Sequence, residues 1–389
     1  MGLIKTIAAG ILGLPSLLLL VVTAPVVALL SIPSLALLRF QTSDAPRNTN
    51  IDNNNNGSKD ENSTAISEHA IISGGSSGIG LSIAHECVKR GMAKITILAR
   101  NKSKLEKAVS ELEASKKKFH TETVLSYKSV DVSDPGLLKA VAADVCGTNK
   151  KEALASTKFY LFCCAGSAVP SYFEHIPSTT FAHLAGTNQL GTIYTVQAFL
   201  PHMTRGTIVF TSSICGQLGV YGYTAYCPTK YALRGFAEAL HAELADQPYL
   251  NVQLAFPPDT DTPGFAEEEK IKPQETRLIS ETAGLAQPEA VAAVMVQKAV
   301  HDNPAFLVYF GLEGWMVACL TAGMSPVSTV ADAMSQVALN GLFRFISLFV
   351  LNDWWDMIRR CAKERMDRKE GKKRPDDTNK EAEATEKSD

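Results

Sequence analysis

Between Ala70 and Gly80 the chain reads AIISGGSSGIG: a short apolar run, a glycine-rich turn, and the start of a helical pattern. Glycines at Gly74, Gly78 and Gly80 let the backbone leave a strand sharply and approach a pyrophosphate. The phosphate charge then rests at the positive N-terminus of the helix that follows. Ser73, Ser76 and Ser77 add hydroxyls suited to phosphate. Glycines also make ordinary tight turns, so the context decides, and here strand, turn and helix stand in the required order.

The same texture continues downstream. Strand-like runs are AIIS, KITILA, VLSYKSV, KFYLFCCA, GTIVFTSS and NVQLAF, with helical periodicity near 79–90, 102–118, 135–147, 178–203 and 226–246. Strands separated by helix-length connections predict an α/β fold, a Rossmann-type doubly wound parallel sheet with helices on both faces. The net charge of −2 gives no case for nucleic acid. Eight cysteines without a CxxC and eight scattered histidines without an HExxH predict no metal, and buried free thiols in a reducing compartment rather than disulfides.

Outside that core the chain divides by composition. Thr6 to Leu38 is 33 residues without an ionisable side chain, longer than the ~20 that span a bilayer as a helix. Residues 1–40 are therefore expected to be a retained membrane anchor, with Pro15, Pro25 and Pro33 leaving a kinked or re-entrant course open. Residues 41–66 are polar and Asn-rich and read as a disordered linker, leaving 67–303 as the catalytic domain. The apolar region 304–355 suits a hairpin, interfacial helices, or a helix closing the domain's own core. Residues 356–389 form a charged tail, and its basic block at 359–374 predicts a cytosolic location. The sequons at Asn56, Asn62 and Asn101 are accordingly expected to be unmodified.

Chemistry concentrates in TSSICGQLGVYGYTAYCPTKYAL. Tyr226 and Lys230 are four apart, on one face at the start of a helix. An unperturbed tyrosine, with pKa near ~10, is a poor acid–base catalyst at neutral pH. A neighbouring ammonium is expected to lower that pKa, and the same lysine can reach a nicotinamide ribose. Ser213, at a strand end, can hold a carbonyl oxygen, with Ser212 in reserve. Arg100 ends the second strand and Lys104 lies one turn further on. Basic residues there suit a 2′-phosphate, so NADPH is favoured over NADH. Asp131, after the third strand, can meet the adenine amine or cap a helix, a role Asp134 fills better.

Taken together, Ala70 to His301 resembles the short-chain dehydrogenase/reductase family. The glycine motif matches Ser73–Gly80, and the catalytic tetrad falls on Asn188 in GTNQLG, Ser213, Tyr226 and Lys230. The resemblance implies that Asn188 kinks its helix and holds a water joining the lysine to solvent. CCAG at 163–166 departs from the usual NNAG, which removes polar contacts bracing the central strand. The loop FPPDTDTPGF (256–265), with GGSSGIG, GQLG, TRLISET and GMSPV, is similar to the 3-ketodihydrosphingosine reductase branch. That likeness implies NADPH-dependent reduction of a long-chain sphingoid ketone at the endoplasmic reticulum membrane by a cytosol-facing domain. It places the loop over the nicotinamide, with Asp259 or Asp261 meeting the substrate ammonium or merely capping a turn. A membrane-anchored steroid or retinoid dehydrogenase is the alternative within enzymes, and a lipid-binding scaffold the one outside them. Homo-oligomerisation is left open.

Overall fold

The computed structural model describes residues 66–147 and 156–370. The 1–40 apolar stretch, the 41–66 stretch short of its last residue, the sequons at Asn56 and Asn62, and the tail beyond 370 lie outside the described residues.

Seven parallel strands form one sheet in the order β3-β2-β1-β4-β5-β6-β7. They are β1 (Ser67–Ser73), β2 (Lys94–Ala99), β3 (Val124–Ser129), β4 (Thr157–Cys163), β5 (Gly206–Thr211), β6 (Leu250–Ala255) and β7 (Leu307–Val308). The order reverses between β1 and β4, paired from Ser67↔Thr157 to Ser73↔Cys163. A crevice opens at such a switch point beyond the carboxyl ends of the strands. Alternating side chains feed two cores: Ile71, Leu161 and Phe210 face one layer, while Ile72, Phe162 and Val209 face the other. α1 (Gly78–Lys89), α2 (Lys102–Phe119) and α9 (Pro288–Val300) cover the second layer. α3 (Pro135–Cys146), α5 (Gly191–Phe199) and α6 (Cys227–Glu243) cover the first. Asn101 and Asp134 cap α2 and α3 by accepting the Lys104 and Leu137 N–H groups at 2.9 Å each. Asp134 thus holds the capping role foreseen for it.

Two local features depart from the sequence reading. The helix expected over 178–203 is α4 (Ser178–Leu184), a π-helical segment Ala185–Leu190, and α5. Its wide turn is supported by Thr192 Oγ1, which donates to the Asn188 carbonyl at 2.9 Å. At Gly191 a Cβ would meet the Val132 side chain at 2.6 Å, so only glycine lets the helix pass there. Secondly, β7 adds a two-residue edge strand beyond the 67–303 boundary, too short to show alternation.

After β6 come α7 (Pro263–Ile271) and α8 (Gln274–Ala283), and after β7 come α10 (Gly311–Leu320) and α11 (Val330–Lys369). α11 is one unbroken 40-residue helix, and it carries the first part of the charged tail. By length and composition Val330–Arg368 could cross a membrane, and only 6% of its most apolar window is buried. Both ends, however, are fastened to the domain. Near its start Phe343 is buried, its ring edge-on to Trp315 at 5.4 Å, and Asn340 donates to the Cys319 carbonyl at 3.3 Å. Near its end Cys361 is buried and Arg365 donates to the Tyr172 hydroxyl at 2.9 Å and to the buried Glu275 carboxylate. The 22 residue steps from Phe343 to Arg365 rise about 33 Å, so this stretch lies along the domain. Leu348, Phe349, Leu351 and Trp355 on it are exposed.

Tyr172 also donates to Glu275 at 3.1 Å, and the Arg365 guanidinium lies over its ring at 4.5 Å. Arg365→Ala would strand a carboxylate with no exposure. A loss of about 3 kcal/mol is expected, the low end for breaking a buried pair because the arginine sits at the rim. Adding Glu275→Gln should restore part of it, and urea unfolding of the two variants checks both values.

Candidate active site

The expected residues converge beyond the ends of β4 and β5. β5 stops at Thr211, and Ser212 turns its hydroxyl to the Lys230 carbonyl at 3.0 Å, so it supports α6 from below. Ser213 caps the short turn Ile214–Gly216, accepting the Cys215 N–H at 3.2 Å, and its hydroxyl lies near enough to Tyr226 to act on it. Tyr226 stands at the N-cap of α6, and Pro228 fixes the first turn that carries Lys230. Lys230 is 5% exposed, and its Nζ donates to the Thr211 carbonyl at 2.8 Å.

The expected lowering of the Tyr226 pKa is not found. The Lys230 ammonium lies 5.6 Å from the centre of the Tyr226 ring and gives a hydrogen bond to backbone. Burial pushes the Tyr226 hydroxyl well above its ordinary value. Cys215 and Glu268 push it further, against the opposing pull of the Ser213 hydroxyl. Burial brings Lys230 down to about 8.

Asn188 is wholly buried in the π-helical segment. Its Oδ1 accepts the Ser167 N–H at 2.9 Å, while Nδ2 donates to the Ser167 carbonyl at 2.9 Å and to Thr229 Oγ1 at 3.1 Å. It therefore ties the segment after β4 to α6. Gly166 marks the convergence: a Cβ there would lie 3.2 Å from Asn188 Oδ1 and 3.6 Å from Lys230 Nζ. The CCAG departure is braced differently from the expected asparagines. Cys164 N–H donates to the Ser73 carbonyl at 3.1 Å and Thr211 Oγ1 to Cys164 Sγ at 3.2 Å.

The glycine-rich turn leads from β1 into α1. Gly74 and Gly78 have φ of 72° and 54°, which favour glycine, and a Cβ on Gly80 would lie 2.4 Å from the Gly74 carbonyl oxygen. Ser76 and Ser77 complete the turn, and Ser77 is the N-cap yet makes no capping hydrogen bond of its own. The first N–H groups of α1 face the crevice without a side-chain acceptor from their own cap. That cradle fits the pyrophosphate of a nicotinamide dinucleotide. Further along the sheet edge, Arg100 lies 3.8 Å from Asp131, which also accepts the Ser133 N–H and hydroxyl at 2.9 and 2.8 Å. Lys104 is exposed in the first turn of α2, one turn on from Arg100.

The 256–265 loop reaches the same crevice: a Cβ on Gly78 would touch the Thr262 methyl at 3.0 Å. Thr262 caps α7 by accepting the Phe265 N–H at 3.1 Å, and Thr260 Oγ1 donates to the Pro258 carbonyl at 2.8 Å. Asp259 accepts a hydrogen bond from Ser280 on α8 and lies 3.9 Å from Lys272, while Asp261 is exposed. The stiff loop thus folds two helices back over the strand ends. Sequence reasoning missed Thr229, Gly166, Tyr223 and Glu268. Thr229 sits inside the YxxxK spacing, and Glu268 lay hidden in AEEEKIK, which reads as a solvated face.

Comparison with known proteins agrees with this geometry. The short chain dehydrogenase family matches residues 68–272. The chain is 43% identical over 311 residues to a 3-dehydrosphinganine reductase of Danio rerio, covering 79% of this chain and 90% of that one. It is 44% identical over 298 residues to a 3-ketodihydrosphingosine reductase of Bos taurus, covering 75% and 86%. Among solved structures, an actinorhodin polyketide ketoreductase with NADPH superposes with a TM-score of 0.52 at 24% identity, covering 61% of this chain and 91% of that chain. At that identity the likeness speaks for the fold.

The buried lysine has a measurable signature. A folded value of about 8 lies below the ~10.4 of an unfolded chain, so between them the unfolded chain holds the extra proton. Burying Lys230 therefore destabilises the fold at pH 7, and the cost fades as pH rises through that window. The stability of Lys230→Met relative to wild type should fall by about 2–3 kcal/mol from pH 7 to pH 10. Urea unfolding at the two pH values reads this directly, and a constant difference would mean an ordinary lysine.

Proposed function

The chain belongs to the short chain dehydrogenase family, and from that premise we propose an NADPH-dependent reductase working at the endoplasmic reticulum membrane with its catalytic domain facing the cytosol. Its reaction is the reduction of 3-ketosphinganine to sphinganine, the activity its relatives at 43 and 44% identity are named for. The observation that carries the catalytic reading is the convergence of Ser213, Tyr226, Lys230 and Asn188 beside the glycine-rich crevice.

The reduced nicotinamide, when bound, supplies the hydride for the ketone carbon. The protein's part is to hold the ketone and to deliver a proton. Ser213 fixes the carbonyl oxygen, and Tyr226 gives its hydroxyl proton to the developing alkoxide as general acid. Reduction needs an acid that is protonated at neutral pH, and a tyrosine at or above its ordinary value meets that condition. Lys230 places a positive charge beneath the ring as the phenolate forms. Asn188 holds Ser167 and Thr229 on either side of the lysine, which keeps that charge aligned.

NADPH over NADH rests on Arg100 and Lys104, the cations at the adenosine end of the crevice. Membrane association rests on the exposed apolar residues of α11, the basic residues that follow them, and the uncharged run Thr6–Leu38. A substrate with one long alkyl tail prefers lipid by ~0.8 kcal/mol per buried CH₂, so an enzyme lying on the bilayer meets it where it resides.

Offered 3-ketosphinganine, a steroid ketone and retinal, the detergent-solubilised protein should oxidise NADPH with the sphingoid ketone alone. Tyr226→Phe should abolish that turnover while still binding NADPH. Turnover of the steroid or retinal instead would discard the substrate assignment and keep the site. Separately, Arg100→Glu is expected to raise the KM for NADPH about tenfold or more, by removing a charge-assisted contact to the 2′-phosphate. Measuring KM for NADPH and NADH side by side tests this, and equal shifts in both would place Arg100 outside cofactor choice.

A further inference from the structure

The residues above handle a carbonyl, yet the substrate carries a second polar group, an ammonium on the carbon next to the ketone. A protein that distinguishes this molecule from other long-chain ketones needs an acceptor close to Tyr226. Asp259 is poorly placed for the task, because its carboxylate already accepts from Ser280 and faces Lys272. Asp261 is exposed, and its N–H is bound to the Ala286 carbonyl at 2.9 Å.

We propose that Glu268, on the inner side of α7, is the residue that receives the substrate ammonium. Its Oε2 accepts the Tyr223 hydroxyl at 2.9 Å, and the Tyr223 ring lies 5.5 Å from the Tyr226 ring. The carboxylate is thus held one side chain away from the proton donor, on the helix that covers the strand ends. It is only partly buried, so a ligand in the crevice can reach it.

The surroundings leave this carboxylate short of positive charge. Asp259 and Glu269 add negative charge around it, against Lys272 beside it and the Lys230 ammonium further in. Lys272 is already committed: its Nζ donates to Glu269 and to Ser280 at 3.1 Å, lies 3.9 Å from Asp259, and sits 4.0 Å above the Phe265 ring. Burial raises the Glu268 carboxyl above its ordinary value, against the Tyr223 hydrogen bond and Lys272. An arriving ammonium would offset that desolvation. The same carboxylate acts electrostatically on Tyr226 and Lys230, so it belongs to the field of the reacting atoms rather than to a remote surface. A ligand cation placed between Glu268 and Tyr226 would also ease the phenol toward releasing its proton.

This inference rests on the sphingoid reading, and the test separates the two. Full-length protein in detergent with NADPH is assayed on 3-ketosphinganine and on 1-hydroxyoctadecan-3-one, which keeps the ketone, hydroxyl and chain and lacks the amine. Wild type is expected to prefer the amino-ketone in kcat/KM. Glu268→Gln, which can still accept from Tyr223, should reduce that preference roughly 10- to 100-fold, mainly through KM. Glu268→Asp, which keeps the charge on a shorter arm, should lie between. Equal losses on both ketones would mark Glu268 as a structural partner of Tyr223 and overturn the proposal. So would a wild type indifferent to the amine, an outcome that needs no variant to fold. Failure of wild type on both ketones would instead strike the sphingoid reading itself.

Discussion

A buried ammonium organises the centre of this protein. Lys230 is 5% exposed and donates to the carbonyl that ends β5. An ionised amine so placed is costly unless it is hydrogen-bonded, and the Thr211 carbonyl is its acceptor at 2.8 Å, with the surrounding elements held in place about it. β5 ends one residue before Ser212, whose hydroxyl takes the carbonyl of Lys230 itself at 3.0 Å. The π-helical turn brings Asn188 to Ser167 and Thr229, and Gly166 keeps clear the space between amide and ammonium. Strand end, wide turn and helix start are thus fixed around one charge. The same burial raises Tyr226 and lowers Lys230, so one packing arrangement sets both groups.

Tyr226 is raised and Lys230 lowered, so the proton donor starts as a phenol beside a buried amine. An enzyme that takes a proton from the alcohol needs a phenolate to begin with; one that gives a proton to an alkoxide needs a phenol. Here the tyrosine is a phenol at neutral pH, and the lysine ammonium lies 5.6 Å from the centre of its ring. Its charge therefore counts most once negative charge has appeared on the ring system, which is when transition-state stabilisation is useful.

Much of this could be read from the chain because the signals were local. The glycine-rich turn, the strand runs, the Asp134 cap and the four-residue spacing of Tyr226 and Lys230 each depend on neighbours in sequence. What escaped depends on register or distance. A π turn adds one residue to a helix without disturbing its composition, so by periodicity 178–203 read as continuous, and only the family resemblance pointed to a kink at Asn188. β7 holds two paired residues, fewer than any periodicity can show. Glu268 sits in a charged helix whose inner face is set only by where Tyr223 falls, 45 residues earlier. α11 looked like an apolar segment followed by a tail, because its residues change from Phe and Leu to Arg and Lys. A helix backbone is indifferent to that change and runs on through it.

The course of α11 gives the fold its last connection. Arg365 near its end binds Glu275 on α8 and Tyr172 in the segment after β4. α8 is in turn stapled to the proline-rich loop by Ser280 on Asp259, and that loop touches the glycine-rich turn at Gly78. A chain of contacts therefore runs from the helix with exposed Leu348, Phe349, Leu351 and Trp355 to the cover over the crevice. On the reading that those residues meet lipid, the elements guarding the site are fastened to the part of the molecule nearest the bilayer. The acidic, proline-stiffened loop is what holds α7 and α8 in place.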